Sequence, residues 1–349
     1  MLQKLRFFGF SLTITIGVIV TVLFGMGLAA ALVTILLILI EITFSFENAV
    51  INARKLQTLS KRWQALFLTV GIIIAIFGMR IVFPILIVAL TANLSWHQVL
   101  DLAFNHPHEY AEKLELAHPS IAAFGGAFLM MLCLHFFFDS ERETRWLDKI
   151  EKPLQRLEQN WLPAVITAAT IVGLSLLPVN HHASETVRAG LLGVATYVVI
   201  KGIETAFERL QSRPSQKRGA AKAAKASKVA GLTGWAAFST FLYLEILDAS
   251  FSFDGVIGAF AVTTSVILIA AGLGVGAVWV RSLTVYMVRH HTLNRYRYLE
   301  HGAHYTVAVL AATLLLSELV DVPELVAGVA GIIFVGSAFV SSKRVSDAS

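Results

Sequence analysis

Two ten-residue stretches carry the pattern most able to do chemistry. Residues 41–50 read EITFSFENAV and residues 248–257 read DASFSFDGVI. At an offset of 207, Glu41 aligns with Asp248, Phe44-Ser45-Phe46 with Phe251-Ser252-Phe253, and Glu47 with Asp254. Each copy is followed by a glycine and an arginine nine residues apart, Gly71 with Arg80 and Gly272 with Arg281. A looser third pair is Gly125-Gly126 and Gly302-Ala303. Carboxylates, serine hydroxyls, the Asn48 amide and any freed main-chain carbonyl are hard oxygen ligands, which suit Mn²⁺, Mg²⁺ or Ca²⁺. Neither motif contains Cys or His, so Zn²⁺ and Cu⁺ fit less well.

The surrounding sequence dictates what must position these groups. Of 349 residues, 56% are hydrophobic and 15% charged, and the mean hydropathy is +0.71. Apolar surface on that scale needs lipid. Ten apolar runs are long enough to be membrane helices: 7–26, 29–50, 64–90, 119–138, 161–178, 187–207, 232–253, 264–288, 303–319 and 324–341. The first is longer than a signal-peptide core and another follows at once, so it reads as a span. No strand alternation of the barrel kind is present. The fold expected is an all-α polytopic membrane helical bundle of about ten transmembrane helices. The lone Cys133 excludes a disulfide framework, and no phosphate-binding loop or nucleophile elbow suggests an enzyme. The net charge of +5 does not point to nucleic acid, because the basic residues lie mostly between apolar runs.

Alternating the loops puts 24 of the 28 Lys and Arg residues on one side, including Lys4, Arg6, Arg54, Lys55, Arg142, Arg145 and the run Arg209 to Lys228. That bias predicts both termini in the cytoplasm. The other side holds a long acidic, His-rich loop at 91–118. The linker at 209–231, rich in Ala, Lys and Ser and free of acids, reads as a solvated connector. With this orientation the span of the first motif runs inward and that of the second runs outward. The chain then divides into a first helix (1–28), a first repeat unit (29–138), two connecting helices with the linker (139–231), a second, inverted unit (232–319) and a last helix with its tail (320–349). Inverted repeats with polar residues near the midplane are a transporter feature.

Glu41 and Asp248 fall near the middle of their spans, where each costs roughly 2.5–3.5 kcal/mol. Glu47 and Asp254 follow six residues later, which on a straight helix is a net rotation of about 240°. The pair shares a face only if the helix breaks, and a break would free carbonyl oxygens. Two readings stand side by side. Glu41, Glu47, Asp248 and Asp254, with Asn48, Ser45 and Ser252, form a cation site balanced by Arg80 and Arg281; or the acids and arginines only lock the bundle. Glu245, one turn before Asp248, extends the path or is a satisfied partner. His135 with Asp139, and Glu300 with His301 and His304, are weaker candidates near the basic side. Gly272-x-Gly274-x-Gly276 reads as helix packing.

The paired F-S-F-[ED] motifs, each preceded by an acid and followed by a Gly…Arg span, resemble the TerC family of integral membrane proteins, named for tellurium resistance and grouped with the LysE-type exporters. The resemblance covers about residues 29–341 and is nearest to a bacterial branch. It implies manganese efflux or related metal homeostasis at the bacterial cytoplasmic membrane, with the family's acids carried onto Glu41, Glu47, Asp248 and Asp254. This chain departs from the pattern in having Glu47-Asn48 where Asp-Asn is commoner, and two additional spans with a basic linker between the halves. The function expected is export of a divalent cation, Mn²⁺ favoured, by alternating access, with protons as coupling ion and no permanently bound cofactor. The alternatives are a membrane partner protein that assists metallation or insertion of exported proteins, and an organic-solute exporter.

Overall fold

The computed structural model describes residues 8–211, 232–320, 322–323 and 325–348. Lys4, Arg6, most of the basic linker and the turn residue Asp321 lie outside the described residues. Each of the ten apolar runs is helical, and among the described residues the only β-type pairing is a bridge between Leu59 and Leu232.

Helix α1 (Gly9–Met26) is joined to α2 (Leu28–Phe44) by Gly27, whose φ of 91° is left-handed and cheap only for glycine. Ser45 separates α2 from α3 (Phe46–Leu56), and the two helices meet at a 52° bend. The next span is α4 (Lys61–Ile73), a π-helical stretch (Ile74–Val82) and α5 (Phe83–Thr91). Pro84 explains the wide turns, because it has no N–H to give the carbonyl of Arg80 four residues back.

The 91–118 segment is not the loop expected from the sequence. It contains α6 (Trp96–Asn105), started by a Ser95–Gln98 capping box, and the first turns of α7 (Pro107–Phe138). Pro107 opens α7 with a pre-set φ, and Tyr110, Leu114 and Ala117 bury an apolar stripe, so the helix begins a dozen residues before the apolar run does. Its 32 residues are about 48 Å long, well beyond a bilayer's hydrocarbon core.

Then follow α8 (Asp148–Gln155), α9 (Leu162–Ser175), α10 (Ala183–Gln211), α11 (Gly234–Val262), α12 (Val266–Arg289), the single turn α13 (Thr292–Arg295), α14 (Leu299–Leu316) and α15 (Leu325–Ala348). Seven described helices are apolar and long enough to cross a membrane, and the bent α2–α3 pair makes an eighth. Of the other two expected spans, α9 has 14 residues, and α11 carries Glu245, Asp248 and Asp254 within its 29 residues. The chain is a multi-pass, all-α membrane bundle. Leu12, Ile16 and Val20 of α1, Leu32, Leu36 and Leu39 of α2, and Ile332 and Ile333 of α15 are exposed, forming the apolar belt that lipid covers.

The packing is reciprocal. The α2–α3 span lies against α12 and α14, and α11 lies against the π-helical stretch and α7. At the end away from the basic loops, Thr186 donates to Glu318 at 2.5 Å. Burial pushes the Glu318 carboxyl up to about 7, with the Thr186 hydrogen bond opposing and Glu185 adding to the rise. A carboxyl raised in the fold stabilises it below its unfolded pKa, and that contribution is lost as pH climbs from about 4.5 through 7. Glu318→Gln is therefore expected to raise the thermal midpoint in detergent at pH 8 and to give no gain at pH 4. Equal shifts at both values would contradict this.

Candidate functional site

The bend at Ser45 answers the rotation problem of the first motif. Ser45 adopts φ −103° and ψ 16°, and its hydroxyl donates to Glu41 Oε1 at 3.0 Å. The redirected chain brings Glu47 round, so that Glu41, Ser45 and Glu47 line one cavity of about 40 Å³. Its remaining walls are mainly apolar, including Phe44, Phe251, Leu310 and Ala327. Glu41 and Glu47 are each 4% exposed. Arg80 reaches across to Glu41 Oε1 through Nη2 and donates from Nη1 to the Ala75 carbonyl at 2.7 Å. That carbonyl lies inside the π-helical stretch, so the arginine bonds the wide turn as well as the acid.

The second copy repeats the acid–arginine pairing on a different backbone. Helix α11 runs unbroken through its motif and past Gly255. Arg281 donates from Nη1 to Glu245 Oε1 at 3.0 Å, and from Nη2 to Glu245 Oε2 at 3.0 Å and Asp248 Oδ2 at 2.9 Å. The Phe67 carbonyl accepts from Nη1 at 3.2 Å, and the Phe67 ring lies 4.2 Å from the guanidinium carbon. The two copies are joined by Asn48, whose Nδ2 donates to Asp248 Oδ1 at 2.6 Å. Ser252 is buried. The side chain of Asp254 lies outside the described residues.

Of the four motif acids that one sequence reading sets around a single ion, the described residues place three. Glu41 and Glu47 share the cavity, whereas Asp248 and Glu245 are held by Arg281, and no three His, Cys, Asp or Glu side chains among the described residues form a metal-holding group. The physical reason is charge: the buried Arg281 guanidinium draws in both acids, holding Glu245 with two parallel bonds and Asp248 with one.

Glycines make these approaches feasible. A Cβ on Gly276 would sit 2.5 Å from Glu41 Cβ and Cγ. One on Gly71 would overlap Arg281 Nη1 and come within 2.7 Å of Glu245 Oε1. Gly71→Ala is expected to cost about 1–3 kcal/mol by overpacking, read as a lower thermal midpoint of the purified protein. An unchanged midpoint would mean that the Arg281 cluster shifts freely.

The weaker candidates meet in a second cavity of about 180 Å³ at the basic-loop end, where His135, Asp139, Glu300 and His304 share a wall with Arg54, Lys55 and Lys201. Each imidazole is tied to its own helix, with Nδ1 donating to Met131 O at 3.0 Å in His135 and to Glu300 O at 2.8 Å in His304. His301 lies nearby, 2.9 Å from the Thr144 carbonyl. Asn52, Phe67 and Pro84 were not singled out from the sequence. Only Pro84, four residues after a buried arginine, carried a signal that could have marked it.

Over residues 46–348 the chain matches the family described as "Protein of unknown function (DUF475)". The chain belongs to that family. The DUF475 match takes in Glu47, Asn48, the second motif and both arginines, and begins after Glu41 and Ser45. No curated protein and no solved structure matches the chain.

Proposed function

We propose that the protein is a transporter that carries a divalent metal cation, Mn²⁺ favoured, out of the cytoplasm by alternating access. The observation that carries this reading is the cavity at the α2–α3 break, where two carboxylates and a hydroxyl face each other deep in an apolar bundle. Its volume leaves room for a dehydrated ion and roughly one water. Carboxylate and hydroxyl oxygens favour hard cations, and an acid in a membrane interior marks an ion path more often than not. Glu41, Glu47 and Ser45 would hold the cation, with Asn48 and Asp248 adjoining. Ser252 and Asp254 belong to the same proposed path. Arg80 and Arg281 hold the acids of each copy when no cation is bound, and Glu245 shares the second arginine.

The reciprocal packing of the motif spans supports two inverted units that rock against each other. The resemblance of the motifs to TerC proteins supports manganese, and TerC-like proteins fall within the DUF475 family in some classifications. The loop charges support a bacterial cytoplasmic membrane with both termini inside, and protons are the proposed coupling ion. The test is uptake of radiolabelled Mn²⁺ into inside-out vesicles from cells that make the protein, with Mg²⁺, Ca²⁺ and Zn²⁺ as competitors. Accumulation above vesicles lacking the protein is expected. If no divalent cation moves, the transporter reading fails.

A further inference from the structure

We propose that Asn52 is a neutral-oxygen station for a hard divalent cation on its way between the basic-end cavity and the motif carboxylates; this rests on the transport reading above. The starting point is a chain of hydrogen bonds whose direction is forced. Asp248, paired with Arg281, can only accept, so Asn48 must turn its amide nitrogen to Asp248 Oδ1, at 2.6 Å. The Asn48 carbonyl oxygen then accepts from Asn52 Nδ2 at 2.7 Å. That leaves Asn52 Oδ1 with no donor among the described residues, on a residue only 2% exposed. A buried acceptor without a partner is costly, and a hydrogen bond made by the other end of the same amide does not relieve it. A cation, with or without its water, supplies what the oxygen lacks.

The position of Asn52 fits that role. On α3, Asn48, Asn52 and Lys55 recur at steps of four and three, which is one helix face. Ile51, Arg54 and Lys55, flanking Asn52, line the 180 Å³ cavity, while Asn48 touches Asp248. The polar face of α3 therefore runs from that cavity to the carboxylates. Arg54, Lys55 and Lys201 in the cavity wall are nearly offset by Asp139 and Glu300, and Arg54 is itself paired with Glu300 at 3.4 Å. Charge alone does not draw a dication inward there. A neutral oxygen that replaces a hydration water does so without trapping the ion.

The test compares Asn52→Leu, which removes the oxygen and keeps the bulk, with Asn52→Asp, which keeps an oxygen. Mn²⁺ uptake by inside-out vesicles and equilibrium Mn²⁺ binding by purified protein are both measured. Asn52→Leu is expected to keep Mn²⁺ binding at the motif carboxylates, to be somewhat less heat-stable because the buried Asn48 Oδ1 loses its donor, and to transport about tenfold more slowly; Asn52→Asp restores much of the rate. Should Asn52→Leu fail to reach the membrane, Asn52→Ala carries the same comparison without added bulk. Wild-type transport by Asn52→Leu or Asn52→Ala overturns the proposal while leaving the carboxylate site standing. No Mn²⁺ binding by the wild-type protein would instead remove the reading on which it rests.

Discussion

Glu47→Gln is expected to leave the protein at normal abundance in the membrane and to lower Mn²⁺ transport at least about 100-fold, since a lost ligand should cost more than the 10–100-fold typical of the groups behind it. The two halves of this expectation come from different observations. Arg80 is committed to Glu41, and Arg281 to Glu245 and Asp248. Glu47 makes no described ion pair, so a near-isosteric amide breaks none and strands no buried cation. Glu41→Gln is a poorer probe, because it would leave Arg80, 3% exposed, facing a neutral partner. Loss of activity there would mix a lost ligand with a weakened bundle. Metal content of cells under Mn²⁺ stress, with membrane abundance measured in parallel, checks the Glu47 prediction. If Glu47→Gln cells hold as little Mn²⁺ as the wild type, the acid is structural. A protein that assists metallation or insertion of exported partners then becomes the better account.

The parts of this arrangement that were legible in sequence are those written in residue type and spacing. The repeated acid, F-S-F and arginine pattern set Arg80 and Arg281 beside the motif acids, and in the fold Arg80 pairs with Glu41 and Arg281 with Asp248. Each of the ten apolar runs is helical in the described residues, because in lipid a helix must satisfy its own backbone. What stayed hidden depends on distant neighbours. The break at Ser45 has no glycine or proline to announce it. A ring of Phe44 occupies the space where Gly328 of α15 lacks a side chain, which holds the end of α2 in place from the far end of the sequence. In the second copy α11 runs unbroken past Gly255, which lies beside the Glu41 carboxylate. The early start of α7 was masked by its charges, since hydropathy reports the lipid boundary and not the helix boundary.

Replacing Arg281 by Met should destabilise the protein by about 3–5 kcal/mol, the largest effect expected of any single substitution here, because it leaves two buried acids without their cation. Arg281 is 2% exposed and donates four hydrogen bonds, three to Glu245 and Asp248 and one to the Phe67 carbonyl. Lysine keeps the charge but not the planar fork, so Arg281→Lys should fall between the two. The decisive comparison is the triple variant Arg281→Met, Glu245→Gln, Asp248→Asn. If the loss in the single variant comes from stranded charge, removing the charges together recovers most of the thermal midpoint, since a buried ion pair is often close to neutral against uncharged residues. If the loss comes from the cation stacked on Phe67 and from packing beside Gly71, the triple variant stays as unstable as the single one. Transport separates a further point. A triple variant that is folded yet inactive would mean that charge in the second copy is needed for movement of the ion and not for holding the helices together. That result would give the unbroken motif a role of its own beside the broken one.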